Sequence, residues 1–582
     1  MTEPSSTKVS RRSSALSKRS LTFRETMKDF PYWQLFIVSL IRFSEPISFT
    51  SLFPYVYYMV RDFKIAPTEQ DIPKYTAYLA SSFSLSQFLF AVRWGKLSDK
   101  IGRKKVLLCG LIGTSISLIS FGFSTNFYMA LAARSLAGCL NGNISVLRTV
   151  IGEIAVERKH QATAFSLLPL LFNLGSTIGP AIGGSSLLTR PNPKSPYESE
   201  IVSSTSSSSI YENFITKHPY ALSNIVVSLF LWFSCICGFF FLEETHDHLR
   251  LNKDYGLELG DWFLYKLFGI IPPLRPWQSH FPSYVKLQND ESTPLIESSS
   301  VHSQPLSDGD DSLNSNVLDD DEEDVASFHP FMSRSMSRAI VRTYSQSNDD
   351  EDFNDEDLYK GAFTVAVVQA IVANFLLSLH SNIYSEFLPV FLASRFKPSH
   401  LKFPFKIGGG FGMDTSSIGV LFSSTGIMGM IIVLLVFPYI DRKLGTLGGF
   451  RFSAAILPLV YFLVPWTIFT IHDFNPIFKP WLTPVLLYII TSIRTLATAT
   501  GMPQIMILNH RSAKKHHRAY VNSTTISITA LARFVGPLVF GWLMSLGDSY
   551  DESWLMWWIL SLIALMGFFQ SLSMKDYDED AH

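Results

Sequence analysis

Charge is what this 582-residue chain has least of: 17% of its residues are Asp, Glu, Lys or Arg, against about a quarter in soluble domains. With 47% hydrophobic and 14% aromatic residues and a mean hydropathy of +0.20, that shortage excludes a wholly soluble or disordered chain and points to a membrane protein. Cysteine is rare as well. Cys109, Cys139, Cys235 and Cys237 all sit in apolar runs without a CxxC spacing, so buried, reduced thiols are expected. The first thirty residues carry seven Lys/Arg and no apolar core, a pattern that does not fit a cleavable signal peptide. A phosphate-loop ending, a nucleophile triad, and deaminase and kinase signatures are all missing, and no enzyme activity or cofactor is expected.

What is present is a series of apolar windows of about twenty residues, each long enough to cross a bilayer as a helix. Twelve are counted: 34–60, 76–94, 106–124, 127–148, 162–184 and 219–242, then 361–392, 416–438, 449–471, 483–508, 520–545 and 554–574. The expected fold class is an all-α membrane protein in two six-helix bundles, 34–242 and 361–574, with basic and acidic tails at 1–33 and 575–582. Between the bundles, residues 243–360 form a Ser-, Asp- and Glu-rich connector whose composition predicts disorder. The net charge of −1 conceals this division, because residues 308–357 alone carry 16 acids and 3 arginines, leaving +12 on the remainder. Near the start of the connector, Trp262 to Ile271 is apolar but too short to span, and an interfacial helix is expected there.

Orientation follows from cation counts. The tail and loops on one side hold 20 Lys/Arg and the opposite loops 11, so both termini and the connector are expected in the cytoplasm. The loop with Arg395, Lys397, Lys402 and Lys406 runs against the bias. The halves also repeat: Arg134-Ser-Leu-Ala returns as Arg494-Thr-Leu-Ala, and Gly179-Pro180 as Gly536-Pro537. Such parallel repeats imply two like bundles around a shared cavity.

After the second span comes Gly95-Lys-Leu-Ser-Asp99-Lys-Ile-Gly102-Arg103-Lys-Lys, and the fifth contains Gly175-Ser-Thr-Ile-Gly179-Pro180-Ala-Ile-Gly183-Gly184. The first resembles the loop signature of the major facilitator superfamily, and the second resembles the antiporter motif of its exporters. Glu45-Pro46 through Pro54 is similar to fungal members near the drug:proton antiporters and the zinc-induced-facilitator-like transporters. The resemblance implies transport by alternating access, with the first loop locking the halves in one state. Physically, Gly95 and Gly102 permit a tight turn, Asp99 can face the positive end of a neighbouring helix, and Arg103 can pair with Glu153. Glycines four apart let another helix approach closely, and Pro180 bends the span.

Ionisable residues inside spans are expensive and mark functional candidates. Arg42 and Glu45 lie three apart on one helical face, and His380 and Glu386 share the seventh span. Arg134, with Asn141 and Asn143 two turns on, occupies the fourth, and Arg494 the tenth. Glu45 and Glu386 are the expected proton carriers; the alternative for Glu45 is a static pair with Arg42, and for His380 a satisfied hydrogen bond. His246-Asp247-His248, His510 and His516-His517 show no second ligand set, so no metal site is expected.

The composite expectation is a secondary active transporter exchanging protons for a small organic solute or metal chelate, exported from the cytoplasm. Its partners would be that solute, protons and the lipid bilayer, with no nucleic acid, and the chain is expected to be a monomer. A membrane sensor signalling through the connector is the alternative, as is a symporter or uniporter of the same fold. Glu291-Ser-Thr-Pro-Leu295-Ile296 fits an acidic-dileucine signal for a sorting adaptor, which favours the vacuolar over the plasma membrane. Ser337 and Ser345 follow an arginine at minus three and Ser347 precedes acids, making them phosphorylation candidates.

Overall fold

The computed structural model describes residues 30–155, 158–191, 210–246, 249–269, 275, 277, 363–513 and 518–575. The candidate sorting signal at Glu291, Leu295 and Ile296, the serines Ser337, Ser345 and Ser347, and His248, His516 and His517 lie outside them.

The helices fall where the apolar windows predict. In the first half the crossings are Tyr32–Thr50 with its continuation Val56–Asp62, then Ile72–Ile101, Arg103–Gly122, Phe127–Leu140 with Asn143–Ile154, Arg158–Gly183 and Ala221–Phe241. In the second half they begin with Val365–Ala393, and Leu482–Ser512, Arg518–Ser549 and Trp554–Ser573 are the last three. Between these, one helical path from Thr415 to Leu463 passes through a π turn and kinks at Gly445, whose φ of 70° turns the chain from the eighth crossing into the ninth. Seven described segments are long and apolar enough to cross a membrane on length and composition alone, the path from Thr415 counting once. The others fall short because a break or a charge interrupts them. In the fourth span, for example, Trp94 crowds Gly142, and its indole N–H donates to the Cys139 carbonyl at 2.6 Å, satisfying backbone at the break. Side-chain caps start several helices, with Asn126, Thr364 and Asp414 accepting backbone N–H groups in the first turn.

Two faces result. One, called the terminal face, carries the first and last described residues, Phe30 and Lys575, and the turn at Gly102. The other carries an antiparallel hairpin, Phe396–Lys402 paired with Lys406–Gly409, and is called the hairpin face. Within the glycine-rich end of this hairpin Gly408, Gly409 and Gly410 are buried. The reason is close backbone approach: a side chain at Gly408 would strike Asp551, one at Gly410 the Phe391 carbonyl, and Gly409 has a φ of 81°. Lys397 pairs with Asp548 at 3.4 Å, Lys406 with Asp551 at 3.5 Å, and Arg395 with Glu69 at 3.7 Å. Three of the four cations that run against the sidedness rule are therefore neutralised locally.

The hydrophobic core is continuous across both halves on the hairpin face, joining Tyr55, Val56 and Ala77 to Phe387, Phe391, Phe540 and Met544. A second core, with Ile41, Val106, Leu147 and Leu231, belongs to the first half alone. After the sixth span, Tyr255–Phe268 forms a helix that starts seven residues before the apolar run at Trp262, capped by Asp254 and stopped by Gly269 with a φ of 67°; Ile270 and Ile271 of that run lie outside the described residues. Gly256 and Gly260 seat it on the Phe239 and Phe240 carbonyls, leaving Trp262, Phe263, Leu267 and Phe268 exposed. The thiols depart from expectation: all four are free, but only Cys235 is buried, and Cys109 faces outward where lipid rather than protein surrounds an apolar helix.

Burial raises the proton affinity of Asp551, but hydrogen bonds from His400 and Lys406 outweigh it and hold the carboxyl below its ordinary value. A depressed carboxylate contributes stability that is present above its unfolded value and lost as pH falls through the folded one. Protection of the 396–410 amides against hydrogen exchange is thus expected to hold at neutral pH and fall on acidification below about 4. Asp551→Asn should show the weakened protection at every pH.

Candidate functional site

On the terminal face the second span runs helically through Gly95 to Ile101, so the turn falls at Gly102 alone, with a φ of 105°. Gly95 meets nothing within 4 Å, which corrects its expected place in the turn. Arg103 bridges Asp99 at 2.7 Å and Glu153 at 3.2 Å, and it donates to the Ser98 carbonyl at 3.0 Å. Asp99, expected at a helix end, is instead 66% exposed and held by Arg103. Sequence reading missed the acid that does cap the helix: Glu244 accepts the backbone N–H groups of Arg103 at 2.8 Å and Lys104 at 3.1 Å. From there the network continues outward, Lys104 to Asp254 at 2.7 Å and Arg275 to Glu243 and Asp261 at 2.6 Å each. An acid just past the end of the sixth span was the available signal.

The fifth-span glycines perform two packing tasks. A Cβ on Gly175 would lie 2.9 Å from the Phe43 carbonyl and Pro46, and ones on Gly179 and Gly183 would strike Thr50 and the Ser51 carbonyl, so these three seat the fifth span on the first. Gly184 faces the other half, where a Cβ would stand 2.6 Å from the Thr415 carbonyl and 2.7 Å from the Gly419 Cα. Five residues after Gly536, as Gly184 is five after Gly179, Gly541 packs on Ala77 of the second span. The repeat therefore builds two equivalent seams, span five on eight and span eleven on two. Further contacts run along them: Gly426 on Thr177, Ser81 to the Phe534 carbonyl at 3.1 Å, and Ser545 to the Gln70 carbonyl at 2.6 Å. Tyr58 also donates to the Met413 carbonyl across the halves. Among the described residues these links cluster in the hairpin-side part of the molecule. On the terminal face Gly95 and Gly445 are uncovered and Lys96, Lys100, Arg442 and Lys443 are exposed. The contacts that hold the two bundles together thus lie toward the hairpin face, which leaves the terminal face the side on which they can part.

The intramembrane charges lie on spans of both halves. Arg42 and Glu45 form a 2.5 Å ion pair, with Glu45 only 8% exposed. Arg134, 5% exposed, stacks over Phe83 at 4.7 Å, and its Nε finds no hydrogen-bond partner among the described residues. Glu386 lies on the seam beside Phe53, Thr76 and Ala77 of the first half, lining a small cavity, with its Oε2 unpartnered. The charges that act on it are Arg134 and Arg533, and those acting on Arg533 are Glu386 and Glu45. Arg148 is influenced by Arg42, Arg533 and Glu45. Arg148 and Arg533 were both missed from the sequence, although each is a cation within a predicted span. Asn141 and Asn143 flank the break in the fourth span, each with a buried, unpartnered Oδ1.

His380 and Arg494 sit differently. The His380 ring shares a 2.9 Å hydrogen bond with the Tyr461 hydroxyl, and Arg494 donates to the Ser381 carbonyl and Ser385 hydroxyl, both at 2.8 Å. These tie the seventh span to the ninth and tenth. Arg494 does mirror Arg134 in one respect, lying 4.8 Å over the Tyr384 ring.

Two six-span bundles joined by paired glycine seams, with acids and arginines meeting between them, define a multi-pass membrane transporter. The Major Facilitator Superfamily model matches residues 38–197. The chain is 33% identical over 569 residues to the major facilitator superfamily multidrug transporter mfsB of Aspergillus fumigatus, covering 96% of this chain and 86% of that one. The chain belongs to the major facilitator superfamily. It is also 24% identical to the Arabidopsis thaliana protein ZINC INDUCED FACILITATOR 1, over 94% of this chain and 92% of the relative. Its fold resembles the inward-open xylose transporter XylE of E. coli at a TM-score of 0.57 and 11% identity, covering 94% and 96% of the two chains.

Gly184→Val adds atoms where no space exists, an overpacking cost of about 1–3 kcal/mol. It should splay the five–eight seam, so that a cysteine at Thr177 reacts several-fold faster with a maleimide applied from the hairpin face. An unchanged rate would show that the seam is not closed by this contact.

Proposed function

We propose that the chain exports a small organic solute from the cytoplasm in exchange for protons, by alternating access. One observation carries the reading: Glu386 of the second half stands on the seam with an unpartnered oxygen, and the arginines acting on it come from both halves. An approaching guanidinium lowers a carboxylate's proton affinity and a retreating one raises it. Rocking the halves changes the distance from Arg134 to Glu386, so the same motion that switches the open face takes up or releases a proton. Glu45, held by Arg42 and sensing Arg533, is the second candidate carrier. The Asp99–Arg103–Glu153 cluster would lock the terminal face when it closes, while Gly175, Gly179 and Gly183 keep spans one and five moving as a unit.

Export is supported by the fifth-span motif and by similarity to a multidrug transporter, and a metal chelate remains within the proposed cargo range through the zinc-induced facilitator relative. The cation count supports a cytoplasmic terminal face. In that orientation the cleft receives cytoplasmic solute. With Glu291, Leu295 and Ile296 read by a sorting adaptor, the destination would be an acidic vacuole, whose protons would run outward as cargo enters.

The test uses the full chain in vesicles with a trapped pH dye, challenged with a panel of drugs, amino acids and metal chelates. Solute-evoked proton movement is expected to fall about ten-fold or more in Glu386→Gln, with solute–solute exchange retained, because only the titrating step is lost. Glu45→Gln should reduce it as well. Equal pH-driven rates in wild type and both variants would remove the proton assignment.

A further inference from the structure

The charges around the cleft do not balance. Arg42 is taken by Glu45 at 2.5 Å, yet Arg134, Arg148 and Arg533 have no carboxylate within ion-pair distance among the described residues. Among the described residues the carboxylates that act on these three guanidinium groups are Glu386 and the already paired Glu45, and Glu386 too lacks a partner for Oε2. Arg134 and Arg533 each bury an Nε–H with no acceptor. A buried cation without a partner is costly, and apolar side chains of similar volume would pack the same space without that cost. Groups kept in such a place await a ligand that supplies the missing charge.

We propose that the cleft takes an amphoteric organic solute, one carrying both an oxyanion and an ammonium group, with the oxyanion on Arg148 and Arg533 and the ammonium on Glu386. The reading rests on the cleft being the cargo site. A guanidinium presents a planar fork of N–H donors that matches a carboxylate or phosphate in two parallel hydrogen bonds. Glu386 offers the complementary acceptor to a cation. The coupling follows from this division of labour. An ammonium group and a proton compete for one carboxylate, which is what exchange requires, whereas a purely anionic cargo would bind better when Glu386 is protonated and would travel with the proton. A purely cationic cargo would leave the arginine surplus unanswered and repelling. The aromatic rings stacked with Arg134 and Arg42, Phe83 at 4.7 Å and Phe172 at 5.8 Å, give the space apolar walls suited to the body of such a solute.

Calorimetric titration of the purified full chain at fixed neutral pH, with three probes that share a naphthyl body, isolates the charge preference from proton flux. Naphthylalanine carries both groups, naphthylacetate only the carboxylate and naphthylmethylamine only the ammonium. Naphthylalanine is expected to bind about ten-fold tighter than naphthylmethylamine, a ratio set by one charge-assisted anion contact. Arg533→Gln should erase that advantage, and Arg533→Lys should keep part of it. Where Arg533→Gln does not purify as monodisperse protein, Arg148→Gln takes its place. Glu386→Gln should bring naphthylalanine down to naphthylacetate. Tightest binding by naphthylmethylamine, an order unchanged by the arginine variants, or no binding by either carboxylate probe would overturn the proposal. Because no proton movement is read, a failure of antiport leaves this result standing and the reverse is also true.

Discussion

Gly184 and Gly419 bring two helix backbones together without side chains between them, and Gly541 on Ala77 does nearly the same on the other seam. Helices in a bilayer gain little hydrophobic drive from one another, since lipid tails are as apolar as leucine, so association depends on close van der Waals packing. Small residues concentrated toward one face let the bundles close there. Two bodies held together at one face of a bilayer are free to part at the other, where Gly445 is exposed and Gly95, inside the second-span helix, meets nothing within 4 Å. The cleft is thus a consequence of where the glycines lie.

That geometry makes the buried charges tolerable. Ionisable groups facing lipid cost several kcal/mol, but a cleft that water can enter reduces this and lets a solute serve as counter-ion. The first half holds Arg42, Glu45, Arg134 and Arg148, and the second holds Glu386 and Arg533, so every change in the angle between the halves changes the electrostatics at Glu386. On the terminal face a separate network from Glu153 through Arg103 and Glu244 to Asp254 ties the second, third and fourth spans to the start of the connector. It joins the first half to the start of the connector and helps that half move as a unit.

Much of this architecture was legible in the sequence because membrane helices announce themselves by length and hydropathy, and because Gly-Pro and Arg-x-Leu-Ala recur in register. The Arg42–Glu45 pair followed from helical spacing and opposite charge, and Arg103–Glu153 from opposite charge alone. Arg148 and Arg533 lie outside the repeated motifs and have no oppositely charged residue at helical spacing, so no local pattern marks them. Glu244 escaped because its partners are backbone N–H groups of another helix, and no side-chain pattern records those. The hairpin at Phe396–Gly409 carries Pro398 and little alternation of apolar residues; it is stabilised by Asp548 and Asp551 some 140 residues later, Gly409 N–H donating to Asp548 at 2.5 Å. Such long-range pairing leaves no local trace.

If the halves rock about the cleft and titration of its acids biases the motion, distances across the two faces must change in opposite senses. Spin labels at Glu69 and Arg395 report the hairpin face, and labels at Lys96 and Lys443 the terminal face, in the full chain reconstituted in lipid. Pulsed electron paramagnetic resonance on acidification should show one pair lengthening as the other shortens, with the response blunted when Glu386 is replaced by Gln. Distances that stay fixed, or that widen together at both faces, would contradict the account.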